Sequence, residues 1–304
     1  MTTDLQDALV ITTYGRRFDL QLDDSRIVPA RVRGRRLQPV CGDVARVRPI
    51  PDETDWLVEA INPRRNELTR PDSRGRTEIL AANVSLLIVV AAPEPKPDWF
   101  VVDRYLAAAR IMGADSLVVF NKQDLPIAES DLAELTNYEK AGVVVLRVSA
   151  LDGSNNDALL SAIRGHTAIC VGQSGVGKSS LVNALLGGSE LRTADISGKT
   201  GEGRHTTVNS RMLFLDTDGE TTAIVDSPGV RDYAPAIASA AAVADGFAEI
   251  VEAAQHCRFA NCRHLQEPGC AVKSAVDDQR IAPRRYESYR RLLRLTESLQ
   301  ARRR

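Results

Sequence analysis

The segment "GQSGVGKSS", residues 172–180, follows the apolar "TAICV" and precedes the helical "SLVNALLGG". Its G-x-x-x-x-G-K-S spacing suits the holding of a polyphosphate. Glycines let successive backbone N–H groups turn inward, and a helix start adds partial positive charge. On this reading Gly172, Gln173, Ser174, Gly175, Val176, Gly177 and Ser180 wrap the phosphates. Lys178 reaches the β- and γ-phosphates, and the Ser179 hydroxyl ligates Mg²⁺.

A second string, "VVFNKQDLP" at 118–126, selects the base. The Asp124 carboxylate can accept from both N1–H and the 2-amino group of guanine, whereas adenine lacks that amino group and presents N1 as an acceptor. Asn121 would contact the other purine edge, and the Lys122 stem would pack along the ring. After the next apolar stretch, "VSA" brings Ser149 and Ala150, whose backbone N–H could meet guanine O6. A buried polar site of this kind rejects a mismatched base by roughly 10⁴-fold, because its groups are left unpaired.

Two D-x-x-G strings compete for the γ-phosphate sensor. "DTDG" at 216–219 lies between "RMLFL" and "TTAIV", where Asp-Gly makes a hairpin turn. "DSPG" at 226–229 follows the strand "TTAIV", so Asp226 is expected to stand behind the direct ligands of Mg²⁺ and the Gly229 N–H to meet the γ-phosphate. Between the phosphate loop and the hairpin, "SGKTGEGRHTTVNS" reads as a switch in which Thr206 or Thr207 could ligate Mg²⁺. The base loop thus precedes the phosphate loop. A circular permutation preserves such a site, because it depends on where strands lie in space and not on where the chain begins.

A third group, "CRFANCRHLQEPGC", gives Cys257, Cys262, His264 and Cys270 in a C-x₄-C-x-H-x₅-C pattern. Three thiolates and an imidazole close a tetrahedron around a structural Zn²⁺ and leave no position open for catalysis. Zinc would here fold a small domain that lacks an adequate core of its own. The remaining cysteines, Cys41 and Cys170, sit in apolar surroundings and read as core residues.

These loops need elements to hold them. Residues 1–72 read as five short strands, "ALVITTYG", "RFDLQLDD", "IVPARVRG", "DVARVRPI" and "DWLVEAINP", which suit an OB-like β-barrel, although an SH3-like barrel would read almost the same. Residues 73–235 alternate apolar strands with amphipathic helices, the pattern of a mostly parallel α/β sheet that binds ligands beyond its carboxyl ends. Residues 236–304 are helical and polar, with Tyr286, Tyr289, Leu292, Leu293 and Leu299 near one stripe of a last helix and arginines left free for a partner.

The net charge is −1, but Arg26 to Arg48 holds seven arginines against Asp43, and Arg280 to Arg304 holds nine against Glu287 and Glu297. Two basic ends suggest separate contacts with a polyanion, against the simpler reading of two solvated faces. The longest apolar run, "LLIVVAA", is far short of the ~20 residues that span a bilayer. The N-terminus shows no basic region followed by an apolar one, so a cytoplasmic protein with no membrane partner is expected.

Taken together, the barrel, "NKQD" and "VSA" ahead of "GQSGVGKSS", then "GRHTT", "DSPG" and the cysteine cluster, resemble the circularly permuted RsgA (YjeQ) GTPase family over nearly the whole chain. The resemblance implies a monomer that uses GTP with Mg²⁺ and carries zinc. It implies binding to the 30S ribosomal subunit and its 16S rRNA late in maturation, hydrolysis of GTP to GDP stimulated by the subunit, and release on hydrolysis. It also places the switch threonine at Thr206. Val230 stands where Ras-like GTPases carry a water-orienting glutamine, and the resemblance gives that work to His205. Ser227 replaces a more usual threonine, and Cys41 a small residue. Two other readings share some features: an RNA-binding zinc protein in which nucleotide only sets conformation, and a small-molecule kinase, which would leave "NKQD" and the cysteine cluster without a purpose.

Overall fold

The computed structural model describes residues 5–34, 36–71, 77–187, 210–217, 219–227, 237 and 239–301. They fall into two compact units: Met1–Leu86 with Asp157–Cys170 and Val182–Tyr233, and Leu87–Asn156 with Val171–Leu181 and Ala234–Arg304.

The first unit opens with β1 (Gln6–Tyr14), β2 (Arg17–Leu22), β3 (Ile27–Val32), β4 (Val44–Pro49) and β5 (Trp56–Ile61). Period-two patterning makes them strands. In β2, Phe18, Leu20 and Leu22 point inward while Arg17 faces water. β1 pairs β2 and β4, β2 pairs β3, β3 runs parallel to β5, and β5 pairs β4. This closes a five-stranded Greek-key barrel of the OB type around Val10, Phe18, Leu20, Val47 and Val58. The pairing order decides between the two barrels that the sequence left open.

A hairpin of β6 (Glu67–Pro71) and β7 (Thr77–Ala82) follows, which strand patterning did not reveal. Its register is marked by a charge pair, Arg70 opposite Glu78 at 2.7 Å, and not by an apolar alternation. The unit also holds the start of β11 (Thr167–Gly172), with β12 (Ser210–Thr217) and β13 (Glu220–Asp226). β13 runs parallel to β11, and β12 pairs antiparallel with β13 as far as Thr217↔Glu220, so the two strands form the hairpin expected on either side of the first D-x-x-G string. β12 then pairs β1 through Thr12↔Arg211 and Thr13↔Ser210, so one strand belongs both to the barrel and to the sheet. Its residues 10–13 are accordingly buried on both faces.

The second unit contains β8 (Leu86–Ala91), β9 (Asp115–Phe120) and β10 (Val144–Arg147), in the order β10-β9-β8. β8 is buried at every position, as a strand covered on both faces must be. Helices α1 (Trp99–Ile111) and α2 (Glu129–Lys140) follow β8 and β9. Asp98 caps α1 by accepting from the N–H groups of Phe100 and Val101. Helix α3 (Asn156–Ile163) precedes β11, and α4 (Lys178–Gly187) follows it.

The C-terminal part is helical as expected: α5 (Ala248–Ala254), α6 (Ala271–Asp277) and α7 (Pro283–Ala301). Two expectations need correction. This segment does not lack a core, since Phe247, Ile250, Val272, Tyr289, Leu292 and Leu293 form one, together with Ala107 of α1. Nor are all its arginines free. Arg285 is 4% exposed and binds Asp103 of α1 and Glu249 of α5, each at 2.7 Å, while Arg284 reaches Asp103 at 2.6 Å and Glu134 of α2 at 2.5 Å. A lone carboxylate on the buried face of α1 required such partners. No described helix is long and apolar enough to cross a membrane.

In the barrel, Asp43 is fully buried, accepts the Val40 N–H and is held by a two-toothed Arg64 contact at 2.6 and 2.8 Å. Arg64→Ala leaves that carboxylate uncompensated and is expected to cost about 3 kcal/mol. Urea unfolding of the barrel, followed through Trp56 with Trp99 replaced by Phe in every variant, measures it; a loss no larger than that of Arg26→Ala, whose pair is exposed, would contradict the account.

Candidate functional site

The end of β9 and the loop after β11 meet in the second unit through one side chain. Asn121 is 1% exposed. Its Nδ2 donates to the Val176 carbonyl of the phosphate loop at 2.9 Å, and its Oδ1 accepts from the Ala150 N–H at 3.0 Å. The base loop, the phosphate loop and the "VSA" loop are thereby fastened together. Lys122 reinforces the junction: its ammonium donates to the carbonyls of Gly175 at 2.8 Å and Glu94 at 2.7 Å, from a backbone at φ +62°.

Glycine is required where these loops touch. A Cβ on Gly177, at φ +90°, would lie 2.4 Å from the Asn121 amide nitrogen. One on Gly172, at φ +137°, would lie 2.1 Å from the Val90 carbonyl oxygen. The phosphate loop therefore sits against the end of β8 with no room for a side chain.

Within the loop, Lys178 is buried and donates to the carbonyls of Gly172 at 2.8 Å and Gln173 at 2.6 Å. Val176 is buried beneath the loop, and Ser174, Ser179 and Ser180 are exposed. Gln173 accepts the Asp98 N–H at 2.7 Å, which joins the loop to the cap of α1. On the base side, Asp124 is exposed and its carboxylate accepts from the buried Ser149 hydroxyl at 2.6 Å. The same hydroxyl accepts from the N–H groups of Leu151 and Asp152, so it both shapes its loop and aims Asp124. Sequence reasoning had asked of Ser149 and Ala150 only a backbone N–H for guanine; here the Ala150 N–H is given to Asn121.

The segment 93–98 was also missed. Glu94 and Asp98 touch Lys122 and Gln173 through their backbones. Its position just beyond the carboxyl end of a buried strand was the available signal.

Asp226 closes β13 in the first unit, half-buried, with Arg211 at 3.6 Å. Ser227 after it is buried and accepts from the Ser210 hydroxyl at 2.9 Å. His205, Thr206, Thr207, Gly229 and Val230 lie outside the described residues.

The cysteine cluster assembles as its spacing suggested. The ligand atoms of Cys257, Cys262, His264 and Cys270 all lie within 4.8 Å of one another. His264 Nδ1 is 3.6 Å from the sulfurs of Cys257 and Cys270, which are 4.0 Å apart. A tetrahedron with Zn–S bonds of ~2.3 Å has sulfur–sulfur edges of about 3.8 Å, so the donor set has the right size. Burial lowers the His264 pKa, against the pull of Glu267, and favours the neutral imidazole that a metal needs. Glu267 accepts the N–H groups of Arg263, Leu265 and Gln266, and the first of these does most to hold its carboxyl down at about 2. Tyr286 and Tyr289 of α7 donate to the carbonyls of His264 and Arg263, which seats the loop on the helix.

The pattern of the family described as RsgA GTPase matches residues 61–235. The small ribosomal subunit biogenesis GTPase RsgA of Azotobacter vinelandii is 39% identical over 303 residues, covering 95% of this chain and 85% of that protein. Its counterpart in Pseudomonas aeruginosa is 40% identical over 291 residues with the same coverage. The crystal structure of YjeQ from Thermotoga maritima superposes with a TM-score of 0.73 at 26% identity, covering 96% of this chain and 99% of that one. YloQ, a circularly permuted GTPase, shares the fold with a TM-score of 0.72 at 22% identity, covering 97% of this chain and 96% of that one.

Two outcomes follow from this geometry. Asn121→Ala orphans the Val176 carbonyl and the Ala150 N–H and frees the phosphate loop from the base loop; a titration with fluorescent GDP should show at least about tenfold weaker binding. Removal of metal by a chelator should raise hydrogen exchange across Cys257–Cys270 while α7 and the nucleotide loops stay protected, because the core beneath the cluster persists. Exchange rising throughout the second unit would show that the metal holds far more than its own loop.

Proposed function

The chain belongs to the RsgA GTPase family, and on that premise we propose that it is a ribosome-biogenesis enzyme that binds the 30S subunit late in maturation, is stimulated by it, and leaves when GTP is hydrolysed. Hydrolysis of GTP is the reaction of that family and of this chain. The observation that supports the site assignment best is the Asn121 amide joined to both Val176 and Ala150, since it brings the base loop and the phosphate loop together, as loops that share one nucleotide would need.

In this reading Asp124, aimed by Ser149, accepts N1–H and the 2-amino group of guanine. Asn121 has a second amide hydrogen for the purine, the Lys122 stem lies along the ring, and the Ala150 N–H is shared between Asn121 and O6. Gly172 to Ser180 wrap the phosphates. Lys178 exchanges the neutral carbonyls that now hold it for β- and γ-phosphate oxygens, which form stronger, charge-assisted bonds. Ser179 and Thr206 would ligate Mg²⁺, with Asp226 behind them and the Gly229 N–H on the γ-phosphate; the ion would neutralise charge developing on the phosphates. His205 would orient the attacking water once the subunit holds its segment in place. Zn²⁺ would be held by Cys257, Cys262, His264 and Cys270 and would fix the shape of their loop.

The division into 1–72, 73–235 and 236–304 then becomes functional, with the barrel and the metal-binding segment each contacting RNA and the middle segment carrying the nucleotide site of a monomeric, cytoplasmic protein. Arg33, Arg36 and Arg46 of the barrel support this, since their side chains are exposed and have no partner among the described residues. The 16S rRNA supplies the polyanion they would meet.

GTP turnover measured with isolated 30S, 50S and 70S particles tests the proposal: only the first should stimulate strongly, and equal stimulation by 50S would overturn it. His205→Ala should leave GTP affinity intact and slow 30S-stimulated turnover about a hundredfold. An unchanged stimulated rate would remove that residue from the mechanism.

A further inference from the structure

Of the six phenylalanines in the chain, only Phe259 is exposed, at 39%. It lies between Cys257 and Cys262, and it takes no part in the core beneath the cluster. Its position is nevertheless firmly defined. The Phe259 carbonyl accepts the Cys262 N–H at 3.1 Å, and the Arg258 N–H reaches the Gly269 carbonyl at 3.3 Å. Gly269, at φ +69°, leaves space for the Arg258 stem, whose Cβ and Cδ would be 3.4 and 3.5 Å from a side chain there. The guanidinium of Arg258 then stands 5.4 Å from the centre of the Phe259 ring.

An aromatic ring with a guanidinium lying over it, both exposed on a loop pinned at each end by metal-ligating side chains, forms a surface that joins a π-face to a positive charge. Asn261, also exposed, adds amide donors and an acceptor. No aspartate or glutamate occurs from His256 to Gln266. Such a surface suits a planar, unpaired nucleobase attached to a phosphate. It suits a protein partner poorly, because the ring's neighbours Arg258, Ala260 and Asn261 supply almost no apolar area around it.

We propose that the Cys257–Cys262 loop is a stacking platform for one unpaired RNA base, with Phe259 as the face, Arg258 on the adjoining phosphate and Asn261 at the base edge. This rests on the small-subunit reading above and gives it a point of contact. The ring is held ready before RNA arrives, so little ordering is needed on binding.

The test uses the full-length, zinc-loaded protein with a non-hydrolysable GTP analogue and isolated small ribosomal subunits. Phe259→Ala and Phe259→Leu should each weaken binding about tenfold, and Phe259→Trp should keep it, because stacking needs a π-face and not merely apolar bulk. Zinc content should be unchanged in all three. Ultraviolet crosslinking followed by mass spectrometry should find a nucleotide adduct within residues 258–263. Wild-type affinity in Phe259→Leu, or crosslinks from this loop to ribosomal protein alone, would overturn the platform while leaving the subunit reading in place. Failure of the wild-type protein to bind small subunits would overturn the subunit reading itself, and the platform with it.

Discussion

The buried amide of Asn121 is the point on which the nucleotide site turns. A side chain with one acceptor and two donor hydrogens fastens three loops that come from separate stretches of chain, and it can do so only because Gly177 leaves the space it occupies. In a buried setting each of those bonds is costly to leave unmade, so the loops are effectively fixed relative to one another. A circular permutation is tolerated for the same reason. The chemistry is carried by contacts across the carboxyl ends of strands, and the order in which those strands are connected does not enter.

The same unit carries the metal-binding segment, and the link between them is ionic and aromatic. Arg284 and Arg285 of α7 converge on Asp103 of α1, whose carboxylate also accepts from the buried Tyr138 hydroxyl of α2. Burial first, then Asp103, pushes that hydroxyl well above its ordinary pKa and keeps it a donor. Tyr138 packs on Trp99, and Trp99 stacks on Phe120, the residue before Asn121. A continuous set of contacts therefore runs from the C-terminal helix to the base loop. Each guanidinium also stands 5.3 Å from the centre of the Tyr138 ring, which lowers the cost of burying its charge.

Much of this was legible in advance, and the reason differs from residue to residue. The phosphate loop, "NKQD" and the cysteine cluster are short strings whose chemistry depends on local spacing, so they could be read directly. The barrel strands showed through their alternation, but the choice between two barrel types rested on pairing partners, which no local pattern encodes. The β6–β7 hairpin stayed hidden because Arg70 opposite Glu78 and the adjacent buried Leu80, Ala81 and Ala82 break the apolar alternation by which a strand is read. The buried arginines were misjudged because Arg284 meets Asp103 across 181 positions of sequence. A hint existed in that aspartate, set among apolar residues of "WFVVDRYLAAA", where a charge without a partner could not remain.

The strand shared by the barrel and the sheet has a bearing on how the protein is made. β1 is synthesised some two hundred residues ahead of β12, yet one edge of its second half is completed only by Ser210 and Arg211. Until that later hairpin has been synthesised, Thr12 and Thr13 present backbone N–H and C=O groups on a seam that any other extended chain could join. The nascent barrel is thus born unfinished, and its safety from clumping depends on how promptly the rest of the polypeptide arrives to seal it.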